Sequence, residues 1–553
     1  MRNGLTSRAW AAIAAMTVTA AMTVAAAMAF APSALAQSAG TSAWKVRDAT
    51  DLGAYSASRM SVTLVLTERN QSALDALTAR PHAALTAAQF AAQFGPSAAT
   101  IDAIGRWASA HGLAVTSVSA NRLLVTLSGS SSQLAGALQT GFERFHSAAD
   151  GNFFAASKAA QLPSAIASNV TAVLGLSSLA KVAVPKPSVR SAAALQTGRA
   201  ALPAAGLPTS LNYPATYTPQ QLNAMYDAPS SQTGAGQQLA IITEGDVSAP
   251  KADLATFEKT YGLPTVTWNQ INVGAPSTDT SGDDEWDLDS QYSTAFAPGV
   301  TTLNVYVGPS LNDSDILTTI NKWVTDDIAQ QGSFSAGECD LLADAAGFTA
   351  GLDAVLKQAD AQGQTMFFSS GDTGSQCPAI TGVNGVPAGI PDTNYPASSP
   401  YGIGVGGTSV LNNNPLSEIG WYAGGGGLSP IEPAATFQAN AKVLGVAAPP
   451  TRGVPDVSLD ADPESGYDVV VNGTVEGIGG TSASAPSWQG IWARVNGGHS
   501  GLGFAGPILY SSGESSAFND ITIGVNGAYT AGPGYDLVTG LGTPDIAKLV
   551  NGA

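Results

Sequence analysis

The sequence predicts an α/β protein with a mainly parallel sheet, preceded by a smaller α+β unit. Three observations carry that reading. Short apolar runs alternate with helix-patterned segments after residue 217. A separate set of strand and helix patterns fills residues 37–180. Between them, 181–216 is rich in Pro, Ala and Ser and lacks periodicity.

In the first unit, strand patterns fall at 61–67 and 123–127. Helical patterns fall at 87–94, 99–111 and 132–142, with a further helix after Pro163 and an apolar run at 170–179. The segment from Val182 to Thr216, with Arg190 and Arg199, reads as an exposed linker and processing site. The body, 217–553, offers strands at 238–243, 302–307, 365–369 and 454–457. Its helices fall at 251–261, 316–331, 348–362 and from about 481.

At 553 residues with a net charge of −18, the chain holds more than one ordinary domain. The charge is uneven, with a net +8 over residues 1–200 and −26 over 201–553. So acidic a body excludes nucleic acid and anionic membranes as natural partners. Arg2 and Arg8, the apolar stretch from Ala9 and Ala34-Leu35-Ala36 read as a cleaved secretory signal over 1–36. An uncleaved anchor is the alternative, and no second span follows. An exported protein can keep a disulfide, and Cys339 and Cys377 are the two cysteines, with pairing not deducible from spacing.

The chemistry starts at Gly479-Gly480-Thr481-Ser482-Ala483-Ser484-Ala485-Pro486. Glycines ahead of Ser482 allow a backbone to approach, and the segment after it can open a helix whose N-terminus favours a reacting serine. A structural turn is the competing reading. A serine nucleophile needs a base, yet His82, His111 and His146 lie in the first unit, and only His499 lies in the body. Without histidine a carboxylate must take the proton. Glu285 and Asp289, in Asp283-Asp284-Glu285-Trp286-Asp287-Leu288-Asp289, share a helix face at i,i+4, where one shared proton removes their repulsion and raises a pKa. The alternative is an acidic cap on a solvated helix. In Ser369-Ser370-Gly371-Asp372-Thr373-Gly374, a strand delivers Asp372 into a Gly-flanked turn. Buried there, its carboxyl can stay protonated and donate to an oxyanion, or it can simply cap backbone amides.

Together these motifs resemble the sedolisin (serine-carboxyl peptidase) family, whose members carry Glu-x-x-x-Asp, Ser-Gly-Asp-x-Gly and Gly-Thr-Ser-x-x-x-Pro in that order. Tyr395-Pro396-Ala397-Ser398-Ser399-Pro400, Gly404-Val405-Gly406-Gly407-Thr408 and Val454-Pro455-Asp456-Val457-Ser458 also look like the family's. The resemblance implies a subtilisin-like catalytic domain behind an activation prodomain, and a secreted, acid-active endopeptidase made as a zymogen. Its partners would be a protein or peptide substrate and its own prodomain as inhibitor. It implies Ser482 as nucleophile, Glu285 as general base, Asp289 orienting Glu285, and Asp372 at the oxyanion. It also implies that Cys339 and Cys377 pair, as in some members. The sequence Asp520-Ile521…Gly532-Pro533-Gly534-Tyr535-Asp536 resembles the family's calcium site, implying one Ca2+ held by Asp520, Ile521, Gly532, Gly534 and Asp536, an oxygen set suited to a hard cation. Ala336-Gly337-Glu338 departs from the pattern, where a bulkier or aromatic residue is expected near Glu338.

The alternatives are a subtilisin-type triad using His499, disfavoured because no body histidine precedes Ser482, and a catalytically inactive secreted binding protein that keeps the fold. Gly424-Gly425-Gly426-Gly427 is either an edge for extended substrate or a flexible loop. The opposite charges of the two units suggest docking at neutral pH that weakens in acid.

Overall fold

The computed structural model describes residues 49–80, 82–148, 151–184, 216–376, 391–411, 417–439, 445–499, 501–511 and 516–552, with the backbone of 188–189. The signal segment, most of the linker and Cys377 lie outside the described residues.

The body is built on one eight-stranded sheet. Its elements are β1 (Leu239–Glu244), α1 (Ser248–Tyr261), β2 (Thr267–Asn272), α2 (Asp283–Ala295), β3 (Thr302–Gly308), α3 (Asp313–Asp326), β4 (Gln331–Phe334), α4 (Phe348–Ala361), β5 (Thr365–Ser369), β6 (Ile403–Val410), β7 (Glu418–Gly420), β8 (Val457–Asp460) and α5 (Thr481–Gly498). The strand order is β2-β3-β1-β4-β5-β6-β7, with β8 also on β6, and every pairing is parallel except β6 with β7. The central strands are buried at every position, as a covered parallel sheet requires. Trp286, Trp323, Trp488 and Trp492 are fully buried among the helices packed on it.

Helices α2 and α5 approach closely because Gly490 has no side chain: a Cβ there would meet the Ser293 carbonyl oxygen at 2.5 Å. Gln489 of α5 then bonds the carbonyls of Ala240 and Gln331 on β1 and β4. This sets the two helices that carry the site against the sheet.

The predicted helix 316–331 starts at Asp313 and stops at Asp326, because Asp327 turns left-handed (φ 53°) and Gln331 opens the buried strand β4. The strand at 454–457 is two strands, Thr451–Val454 and β8, broken at Pro455-Asp456. In the first unit, the helix expected over 132–142 ends at Ala137. Gln139 turns left-handed (φ 50°), and Phe142 starts a strand. The helix after Pro163 is the single turn Ser164–Ala167.

The first unit has a four-stranded antiparallel sheet, ordered Ala114–Val118, Leu124–Gly129, Met60–Leu66, Val170–Leu174, with its own hydrophobic core. It packs on α4, where a Cβ at Gly351 would lie 3.2 Å from Val65 and 3.3 Å from Leu174. Asn121 bonds Asn321 and Gln358 at 2.6 and 2.8 Å, and Leu85 N–H donates to the Ala361 carbonyl. Among the described residues, the one ion pair between the units is Lys357 with Asp75, opposite in polarity to the two net charges. The docking seen here is apolar and amide-mediated. The start of the expected exposed linker is also docked: Val182 is buried and its N–H donates to the Leu311 carbonyl.

Arg452 and Asp456 form a fully buried ion pair. Arg452 also bonds the carbonyls of Ser399, Gly402 and Gly453, while Asp456 accepts from Gly404 N–H and Tyr510. Removing one partner strands a buried charge. Asp456→Ala is expected to lower stability by about 3–5 kcal/mol, read as an earlier midpoint in denaturant, with much smaller loss in a double variant that replaces both residues by apolar ones.

Candidate active site

Ser482 sits at the second position of α5, behind Gly480, whose φ of 128° excludes most side chains. A Cβ at Gly480 would also lie 2.7 Å from Asp372 Oδ2, so the Gly-Gly approach leaves room for that carboxyl.

Glu285 lies in the first turn of α2 and Asp289 one turn on, and both are fully buried. That burial rules out a solvated acidic cap. Neither carboxyl has a counter-cation, so burial pushes both carboxyls up, with the Asp289 charge adding to the shift on Glu285. Two such carboxyls in one dry site titrate as a pair and do not both ionise readily. The Ser482 hydroxyl lies beside Glu285 and favours its ionised form, while Ser482 Oγ and both Glu285 oxygens are buried without a hydrogen-bond partner. Such contacts tighten when substrate binds.

Asp372 follows β5 at its C-terminal end. Its Oδ1 accepts from Thr481 N–H and Oγ1, both at 2.8 Å, and Gly371 N–H donates to Thr481 Oγ1 at 3.0 Å. Asp372 Oδ2 is buried without a partner, and burial raises the carboxyl's pKa. A protonated Oδ2 there is a donor near Ser482. The structure thus brings together Ser482, Glu285, Asp289 and Asp372 from α5, α2 and the β5 loop. His499 is elsewhere: it caps the far end of α5, roughly 25 Å along the helix from Ser482, and its Nε2 lies 2.8 Å from the Val550 carbonyl.

Further residues complete the neighbourhood. Ser335, just after β4, bonds Asp289. Glu338 of the Ala336-Gly337-Glu338 segment forms a second buried carboxyl pair with Asp313 of α3. Gly425 packs on the Ser370-Gly371 backbone, with its N–H on the Gly371 carbonyl at 2.7 Å. A Cβ there would be 1.9 Å from the Ser370 oxygen. On either side of the site lies linker backbone: Ala183 pairs with Gly337, and Ser188–Val189 pairs with Ile478 and Gly479, just ahead of Ser482.

At the C-terminus, Gly534 N–H donates to Asp520 Oδ2 at 2.9 Å and Gly532 N–H to Asp536 Oδ2 at 2.8 Å. Both carboxylates therefore gather over one glycine loop. Among the described residues no three His, Cys, Asp or Glu side chains cluster to hold a metal, so a cation here would draw on backbone carbonyls.

Comparison with known proteins identifies the family. The family model described as "Pro-kumamolisin, activation domain" matches residues 48–179. Sedolisin of Pseudomonas sp. (strain 101) is 33% identical over 490 residues, covering 83% of this chain and 80% of its own. Kumamolisin of Bacillus sp. (strain MN-32) is 32% identical over 525 residues, covering 89% and 91%. Xanthomonalisin of Xanthomonas sp. (strain T-22) is 32% identical over 526 residues, and the chain spans 61% of its length. The solved structure of Pseudomonas sedolisin, complexed with two molecules of pseudo-iodotyrostatin, aligns at a TM-score of 0.56 and 34% identity, over 61% of this chain and 97% of that one. With a pro-kumamolisin-type activation unit ahead of a subtilisin-like parallel sheet, the chain belongs to the sedolisin family of serine-carboxyl peptidases.

Proposed function

We propose that the protein is a secreted, acid-active endopeptidase made as a zymogen. One observation carries this reading: the Ser482 hydroxyl lies beside a buried Glu285–Asp289 pair with no cation or imidazole near it. Ser482 Oγ attacks the peptide carbonyl as Glu285 takes its proton. Asp289 holds the shared proton and orients Glu285, and Asp372 Oδ2–H donates to the developing oxyanion. Glu285 returns its proton to the leaving amine, and water releases the acyl group by the same path in reverse.

In this reading residues 1–36 are the export signal, 37–180 the inhibitory prodomain, 181–216 the linker with the processing bond, and 217–553 the mature enzyme. The linker backbone paired on both sides of Ser482 supports a cut between them. Among the described residues no helix is long and apolar enough to cross a membrane. Cys339 is disulfide-bonded, and Cys377, the only other cysteine, is its proposed partner.

Activity requires one proton on the Glu285–Asp289 pair and one on Asp372, so it falls in strong acid as the pair gains a second proton and falls again as Asp372 ionises. Ser482→Ala and Glu285→Gln are expected to abolish hydrolysis of a denatured protein and self-processing, while His499→Ala retains both. Asp372→Ala is expected to cost about 10²–10³ in kcat, and Asp372→Asn to flatten the alkaline limb. Full activity of Glu285→Gln would reject the reading.

Acid suits the fold as well as the chemistry. Burial pushes Asp340 and Asp462 up to about 6, Glu418 to about 7 and Asp313 to about 8. Each keeps its proton to higher pH folded than unfolded, so the native chain binds more protons from about pH 4 upward. That stability is fully present below the unfolded pKa and is lost as pH rises through these values. The Tm of the Ser482→Ala zymogen should therefore fall between pH 4 and pH 8.

One Ca2+ is the proposed ligand of the C-terminal loop, held by Asp520, Asp536 and the carbonyls of Ile521, Gly532 and Gly534. The two carboxylates over one glycine loop give the all-oxygen set a hard cation takes. Calcium at a hundred times its Kd would stabilise by about 2.7 kcal/mol. Chelation should lower Tm accordingly in the wild type and leave Asp536→Ala unchanged.

A further inference from the structure

Ser335 follows the last residue of β4 and is fully buried between α2 and α5. Its Oγ donates to Asp289 Oδ1 at 2.6 Å, and the hydroxyl also faces Glu285. The same oxygen lies 3.4 Å from the Ser482 carbonyl. That carbonyl lacks the usual helical partner four residues on, because Pro486 has no N–H. A single hydroxyl thus touches the carboxyl pair and the backbone of the nucleophile.

We propose that Ser335 is a positioning residue that decides where the shared proton sits. By occupying Asp289 Oδ1, it leaves Oδ2, which is buried with no other partner, as the oxygen that shares a proton with Glu285. Glu285 then keeps an unprotonated oxygen for Ser482. The arrangement is one-directional: a serine hydroxyl has one proton, and at 2.6 Å that proton goes to Asp289. Asp372 is the other titratable group acting on Glu285, and it is held independently by Thr481. A hydrogen bond to a carboxylate favours its ionised form. Without it the pair takes its second proton more readily.

This inference rests on the serine-carboxyl reading above, and the experiment separates the two. Kinetics on a peptide substrate are measured from pH 2 to 8 for the self-processed wild type, Ser335→Ala and Ser335→Cys. Glu285→Gln is the control. Ser335→Ala is expected to lower kcat on the order of ten- to a hundredfold, with KM nearly unchanged. Its acid limb should move up by about one pH unit. Ser335→Cys keeps the shape with a weaker donor and should fall between. If Ser335→Ala fails to process, the Cys variant alone supplies the limb shift. An acid limb that stays in place in Ser335→Ala, or in Ser335→Cys where that variant stands alone, would overturn the proposal whatever happens to kcat. Activity in Glu285→Gln would overturn the parent reading instead.

Discussion

Two carboxylic acids buried without a cation are the constraint around which this protein is arranged. Glu285 and Asp289 sit one helical turn apart, in a region from which water is excluded. Two charges there would cost far more than the fold's net stability, so the pair must keep a proton. A carboxylate in such a pair can accept a proton at acid pH, where an imidazole would already be charged. Histidine is absent from the site, and the helix that carries Ser482 places its one histidine at the opposite end.

The rest of the body serves that pair. Gly490 lets α5 sit against α2, Gln489 ties α5 to the sheet, and Pro486 frees the carbonyl that Ser335 faces. The C-terminal segment reaches α5 through β8. Gly542 accepts from Ser458 N–H, and the Ser458 carbonyl accepts from Trp488 of α5. Gly542 is therefore tied to the helix that carries Ser482 in two steps.

The interface between the units bears on how acid acts. Net charges of opposite sign suggest attraction that acid weakens. The contacts are amide pairs, apolar packing and one ion pair of reversed polarity. The Asp313–Glu338 pair lies beside it, where Ala180 accepts from Asp313 N–H and Ala183 pairs with Gly337, and these carboxyls prefer to be protonated. Acid favours the buried state of these groups, so net charge does not describe this contact.

The motifs around Ser482, Asp372 and the Glu285–Asp289 spacing were legible in the chain because each is local: a turn, a strand end and one helical face. The alternation of strands and helices was legible for the same reason, and 365–369 and 348–361 fall where the pattern places them. Strand β4 carried no signal beyond a helical pattern that ended on its first residue, because four buried residues carry no period and only their neighbours on both sides make them a strand. Ser335, Thr481 as the anchor of Asp372, and the Asp313–Glu338 pair had no signal, since their partners lie far away in sequence. By itself the sequence determined which side chains can react. Tertiary structure decided which of them are dry, and burial is what turns an ordinary carboxylate into a base that shares its proton.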